Sequence, residues 1–208
     1  MSTPVLDHLV FAGPNLAEAV AHVAELTGVE PIPGGSHVGR GTANYLAALG
    51  AGAYLEIIGP DPSQGQPAQP RPFGIDGLTA PVLFTWSVRV EGIDTVIAEA
   101  RERGFDPGAA DDMSRETADG ELLSWRLTRP GGLDGLAPFL IDWGTTAHPA
   151  SRDLPLIPLL MVSGVHPDPR AVHAVTAALG LELLVRKDSR PGLVAVLQNR
   201  AGKQVALS

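Results

Sequence analysis

Gly28, Gly104 and Gly180 stand 76 residues apart in succession, and each closes a copy of one pattern: an apolar run of strand character, a short turn and an amphipathic helical segment. The helical segments carry apolar side chains at intervals of three and four. These are Leu16, Ala19, Val20, Val23 and Leu26 in the first, Ile93, Val96, Ile97 and Ala100 in the second, and Val172, Val175 and Leu179 in the third. That spacing lines them up on one face, and a glycine just past the last turn is the usual helix stop. Val20, Val96 and Val172 fall in strict register. A chain with such a period folds as repeated units.

Shorter apolar or alternating runs follow each helix. In the first copy they are His37 to Gly39, Thr42 to Leu49 and Ala53 to Ile58, the last two separated by Gly50-Ala51-Gly52, which predicts a hairpin. In the second they are Asp112 to Thr117, Glu121 to Thr128 and Phe139 to Trp143, with Asp119-Gly120 as a two-residue turn signal. The third offers Leu181 to Val185, Leu193 to Gln198 and Gln204 to Leu207. Each copy therefore reads β-α-β-β-β, an α+β unit whose sheet exposes an apolar face until a second unit covers it. The expected organisation is a first βαβββ module over 1–59, a linker or lid over 60–81 and a second module over 82–144. A plain spacer over 145–157 and a degenerate third βαβββ copy over 158–208, packed on the others, complete it. The linker is rich in Pro, Gln and Gly, and Phe73, Ile75 and Leu78 are the side chains that can dock it.

The chain has 208 residues, no cysteine, 24 Gly and 19 Pro, and a formal net charge of −8. The missing cysteine excludes disulfides, thiolate metal sites and cysteine nucleophiles. The negative charge, without a long basic cluster, argues against nucleic acid and anionic membranes as partners. The first residues have neither a basic nor an apolar leader region, and no run is long and apolar enough to span a bilayer, so a cytoplasmic location is expected.

Two residues ask for an explanation on their own account. His8 sits between apolar neighbours in a strand, with Asp7 read as pointing to the other face; its imidazole needs a metal or a backbone partner. Glu56 lies within Tyr54-Leu55-Glu56-Ile57-Ile58, where an unpaired carboxylate is costly to bury. It needs a cation, a proton or a donor. In the third copy, aligning Gly52 with Gly202 places Ala206 opposite Glu56, and Pro158 to Ser163 carries no His or acid, so the fold alone does not demand the polar pair. His22, His148, His166 and His173 read as surface or capping residues.

A chain with Leu-Asp-His-Leu-Val-Phe at 6–11 and Tyr-Leu-Glu-Ile-Ile-Gly at 54–59 resembles the vicinal oxygen chelate superfamily, and more narrowly the glyoxalase-like domain family. Further matches are Gly34-Gly35-Ser36-His37, Gly41-Thr42-Ala43-Asn44, Ser114-Arg115, Asp119-Gly120-Glu121-Leu122, Trp125 and Phe139-Leu140-Ile141-Asp142-Trp143. The resemblance implies a divalent metal (Mg, Mn, Fe, Ni or Zn) in a cup between paired modules, held by first- and fourth-strand side chains. Carried onto this sequence, the ligands are His8, Glu56 and Asp142, with Glu56 and Asp142 also the candidate catalytic bases. The first strand of the second module has no His, so one usual ligand is missing, and His37 is the candidate second imidazole. Three ligands rich in oxygen suit Mg, Mn or Fe(II).

His37, Thr42, Asn44, Trp86, Arg115, Trp125 and Trp143 are the expected substrate-binding residues: polar groups for oxygens, a guanidinium for a carboxylate, and flat apolar walls. Two main readings follow. The first is a metal-dependent lyase, isomerase or dioxygenase acting on a small substrate with adjacent oxygens; the second is a metal-free protein that binds or sequesters a small molecule. A third, an interaction scaffold, would show as an exposed apolar patch. The chain is expected to be a monomer or homodimer, with the site within one chain.

Overall fold

Period-two patterning separates the faces of the longer strands, and the two faces have different destinations. In β1 (Val5–Ala12), Leu9 and Phe11 join an apolar core outside the sheet, whereas His8 and Val10 face its interior. In β4 (Ala53–Pro60), Leu55 and Ile57 go outward while Tyr54, Glu56 and Ile58 go inward. The computed structural model describes residues 4–37, 39–117, 120, 122–129 and 132–208, with backbone only for 116 and 117. The expected turn at Asp119-Gly120-Glu121 has Asp119 and Glu121 outside the described residues.

The first unit comprises β1, α1 (Leu16–Thr27), β2 (Ile32–His37), β3 (Thr42–Gly50) and β4. The second comprises β5 (Val82–Arg89), α2 (Ile93–Glu102), β6 (Ala110–Thr117), β7 (Leu122–Thr128) and β8 (Phe139–Asp142). Their eight strands close a barrel in the order β1-β4-β3-β2-β6-β7-β8-β5. Within each unit the first strand lies parallel to the fourth, β1 on β4 and β5 on β8. Between units, seven residues of β1 pair with β5, whereas among the described residues Gly35 and Ser36 of β2 pair with β6. The β3–β4 hairpin turns through Gly50, Ala51 and Gly52 at φ of 88°, 50° and 78°, a left-handed path that explains glycine at two of the three positions.

Caps define the helices. Asn15 Oδ1 accepts hydrogen bonds from the Ala17 and Glu18 amides at the start of α1, and Gly28, at φ 71°, ends it. α2 begins at Gly92, which has no side chain to cap with. Asp142 does so from β8: its Oδ2 accepts from the Gly92 and Ile93 amides at 2.9 and 3.1 Å, and its Oδ1 accepts from Gly144 N at 3.0 Å. An acid there also complements the positive end of the helix dipole.

The third unit is β9 (Leu159–His166), α3 (Pro169–Ala178), β10 (Leu184–Lys187), β11 (Gly192–Gln198) and β12 (Gln204–Leu207). It keeps the element order of the other two but not their pairing: the sheet runs β10-β9-β11-β12, with β9 parallel to its second strand rather than its fourth. Ala206 therefore lies on an edge strand opposite Val196 and is no spatial counterpart of Glu56. The inner face of this sheet, with Leu193, Ala195, Leu197 and Leu207, merges with the apolar core on the outside of the barrel.

Both connecting segments pack against the barrel. In 60–81, a turn over Pro72–Gly77 buries Ile75 against Val10, Ala12, Ile58 and Phe139, with Phe73 and Leu78 beside it. The run 145–157, expected as a plain spacer, is bonded to β3: the Ala48 amide donates to Pro155 O and the Ile157 amide to Ala48 O, both at 2.8 Å. Leu154 joins Leu46, Tyr54, Trp125 and Trp143 at the opposite end of the barrel interior from Ile75. No helix of the described residues is long and apolar enough to cross a membrane.

Asp142→Ala should lower unfolding free energy by about 1 kcal/mol, the usual worth of an N-cap, and Asp142→Asn by less. Urea unfolding checks this; a loss of only a tenth or two would show that the α2 cap is idle.

Candidate functional site

The inward faces of β1, β2, β3, β4, β6, β7 and β8 enclose a cavity of about 90 Å³. Its polar lining comprises His8, His37, Thr42, Asn44, Glu56 and Arg115, and its walls include Tyr54, Trp125, Phe139 and Trp143. Of the lining, Arg40 is exposed and Pro72, Phe73, Met113 and Leu127 are partly exposed, so the 60–81 segment borders the opening.

Glu56 stands at the centre of the polar groups. His8 Nε2 lies 3.8 Å from its Oε2 and His37 Nε2 3.8 Å from its Oε1, while Asn44 Nδ2 donates to Oε1 at 2.6 Å. That last bond fixes the orientation of the Asn44 amide, since a carboxylate accepts and does not donate. Asn44 Oδ1 then lies against the backbone of Gly34, where any side chain would collide with it. Both imidazoles are held through their other nitrogen. His37 Nδ1 shares a hydrogen bond with Thr42 Oγ1 at 3.0 Å, and His8 Nδ1–H donates to Asp7 Oδ1 at 2.6 Å. Burial pushes the His37 imidazole down to about 4 from its ordinary 6.5, against the pull of Glu56, so it is neutral near pH 7.

Asp7 is fully buried. The register between β1 and β5 skips at this residue, Leu6 pairing with Val88 and His8 with Ser87. Such a bulge re-aims a side chain, and Asp7 bonds to its own neighbour His8 instead of pointing away from it as alternation implied. Trp143 Nε1 and His148 Nε2 donate to its Oδ2 at 3.0 and 2.8 Å. Burial raises its pKa, but the hydrogen bonds from His148 and His8 outweigh burial and hold the carboxyl well below the usual range. His148 Nδ1 in turn accepts from the Ala150 amide at 3.1 Å, which settles its tautomer.

Of the ten residues singled out in the sequence, the barrel brings together His8, His37, Thr42, Asn44, Glu56, Arg115, Trp125 and Trp143. Two lie elsewhere. Asp142 is not beside His8 and Glu56, because Ile141 occupies the inward position of β8 and the next residue must face out, where it caps α2. Trp86 packs in the outer core, its Nε1 donating to Leu136 O at 2.9 Å. Thr42 and Asn44 are engaged by His37 and Glu56, so they orient those side chains. The residues passed over were Asp7 and His148. Asp7 carried a signal, an acid next to the noteworthy His8; for His148 there was none.

A metal centre is not complete as these residues stand: among the described residues, no group of three His, Asp or Glu is placed to hold an ion. His8, His37 and Glu56 are donors of suitable type. Their 3.8 Å separations exceed the roughly 3.0–3.4 Å expected between ligands about 2.1 Å from a shared ion. The second unit lends the cavity Phe139 and Ile141 from its fourth strand and nothing from β5.

The chain is matched by the glyoxalase-like domain over residues 6–180. Among solved structures it is similar to a hypothetical protein from Staphylococcus aureus, with 12% identity, a TM-score of 0.64, and coverage of 97% of this chain and 84% of that one. It is also similar to methylmalonyl-CoA epimerase from Mycobacterium tuberculosis, with 18% identity, a TM-score of 0.43 and coverage of 67% and 87%. A variant of the Streptomyces coelicolor epimerase, in complex with 2-nitronate-propionyl-CoA, is 16% identical, with a TM-score of 0.45 and coverage of 71% and 100%. At these identities the likeness concerns the fold alone. No curated protein matches. With the family matched over most of its length and two parallel-closed βαβββ units forming the barrel, this chain belongs to the glyoxalase-like domain family.

Proposed function

We propose that the protein is an enzyme that moves a proton at a carbon beside a carbonyl in a small oxygenated molecule, as an isomerase or lyase, with Glu56 as the base. The observation that carries this reading is a buried carboxylate between two imidazole Nε2 atoms inside a cavity, with one hydrogen bond among the described residues and no Lys or Arg within ion-pair distance. A carboxylate meant only to be neutralised would be paired; one left with open lone pairs toward a cavity is placed to accept a proton.

The chemistry balances without an oxidant. Glu56 takes the proton from the substrate carbon, and the C–H electron pair moves to the carbonyl oxygen as an enolate. In an isomerase of a hydroxyketone the proton returns to the former carbonyl carbon while the hydroxyl proton passes to the former carbonyl oxygen; in a lyase the enolate pair expels a group from the carbon beyond, which leaves with the proton held by Glu56. Arg115, on the same cavity wall as Trp125, meets the enolate's charge. Asp7 holds His8 through its Nδ1–H and turns Nε2 toward Glu56, and neutral His37 does not quench the base.

A second reading is favoured by the aim of the two Nε2 atoms, each with its Nδ1 tied as in a supported metal ligand. A divalent ion (Mg, Mn, Fe, Ni or Zn) would be held by His8, His37 and Glu56 once they draw together, and would supply Lewis-acid polarisation of a substrate oxygen.

Deuterium exchange from heavy water into a panel of hydroxyketones and oxo acids, read by NMR, tests the first reading. Glu56→Gln should reduce exchange by about 10²- to 10⁴-fold. Wild-type exchange at background across the panel would leave a binding protein; exchange untouched by Glu56→Gln would remove Glu56 from the chemistry. Elemental analysis before and after metal loading separates the readings: metal retained by the wild type and lost in His8→Ala and His37→Ala would establish the second.

The depressed pKa of His37 sets a pH window. The unfolded chain takes up this proton near pH 6.5 and the folded chain only near 4, so the associated stability is fully present above about 6.5 and lost as pH falls through 4. The loss amounts to roughly 3 kcal/mol at most. His37→Gln should flatten the stability curve between pH 6.5 and 4, measured by denaturant unfolding; an unchanged slope would mean the imidazole is not buried neutral.

A further inference from the structure

Arg115 is 2% exposed on the inner face of β6, where its NH1 donates to Gly34 O. Among the described residues, no Asp or Glu oxygen comes within ion-pair distance of it. A guanidinium taken out of water without a counter-charge is costly to keep. On the adjoining β7, Trp125 Nε1 is also buried and has no hydrogen-bond partner among the described residues. Arg115 is paired with Leu123, so Trp125 is its diagonal neighbour on the same face of the sheet, and both line the cavity. This wall offers a charged planar fork and an N–H, all donors.

Glu56, on β4 of the same cavity, offers only acceptor atoms. An anionic ligand is therefore drawn to Arg115 and repelled by Glu56, which gives it one orientation.

We infer that the ligand is a small carboxylate, a 2-oxo or 2-hydroxy acid, seated with its carboxylate on Arg115 and the Trp125 N–H and with its C–H carbon toward Glu56, the one beside the carbonyl in an oxo acid and the oxygen-bearing one in a hydroxy acid. The orientation toward Glu56 rests on the proton-transfer reading; the seating of the anion does not. The chemistry of the wall selects a planar, two-oxygen anion, which a guanidinium engages with two parallel bonds.

Titration of the wild-type protein with pyruvate, lactate, lactamide, propane-1,2-diol and inorganic phosphate, followed by tryptophan fluorescence and calorimetry, tests this. Pyruvate and lactate should bind more than about tenfold tighter than lactamide and the diol. Arg115→Gln should erase that preference and Trp125→Phe should weaken it. Lactamide bound as tightly as lactate, or phosphate bound more tightly than either acid, would overturn the inference, and this comparison needs no variant to fold. Carboxylate binding without deuterium exchange would sustain the inference while removing the proton-transfer reading. Exchange on neutral ketones with no preference for acids would do the reverse.

Discussion

A carboxylate shut away from water, with no Lys or Arg beside it, must collect donors, and Asp7 collects three: one from its neighbour in β1, one from the residue just after β8 and one from the segment that follows. Two stretches of chain far apart in sequence, β1 and 143–148, are tied through one side chain. The tie orders the cavity face as well as the fold, since the same bond that satisfies Asp7 turns His8 toward Glu56. Replacing Asp7 by an apolar residue of similar size would free His8 and leave His148 Nε2 and Trp143 Nε1 without acceptors in a part-buried site, a penalty of about 1–3 kcal/mol for each fully buried orphan.

The two barrel units have diverged in what they place inside. The first supplies the titratable groups, from β1, β2 and β4; the second supplies a cation, a donor N–H and apolar surface, from β6, β7 and β8. Equivalent positions thus carry unlike chemistry, and the cavity has a polarity that two identical units could not produce. The third unit contributes nothing to the lining and serves the outer core instead. Its strand order differs because β9 accepts β10 and β11 as neighbours and leaves β12 on an edge, so the parallel closure of first on fourth never forms.

Much of this was legible in the chain. The glycine period marked the helix stops, and Gly28, Gly104 and Gly180 all take positive φ. The isolation of His8 and Glu56 among apolar neighbours pointed to the site, and β alternation carries both inward. Alternation also contained the answer on Asp142, one residue out of phase with Phe139 and Ile141, though the family pattern drew attention to its carboxylate. Asp7 was misplaced because a bulge breaks alternation, and no local composition announces it. The pairing within the third unit and the reach of His148 depend on contacts between distant segments, which runs of apolar residues do not encode.

Between its units the barrel is sewn unevenly: among the described residues seven pairs run along β1 and β5 and two along β2 and β6. His37 ends β2, and Arg115 lies on β6 with its NH1 on Gly34 O across that short seam. The imidazole carried by β2 and the guanidinium carried by β6 therefore meet across the shorter of the two described seams between the units. Local breathing there, with most of the sheet intact, is enough to part the two halves of the site, so the working geometry has a stability of its own, smaller than that of the fold that carries it.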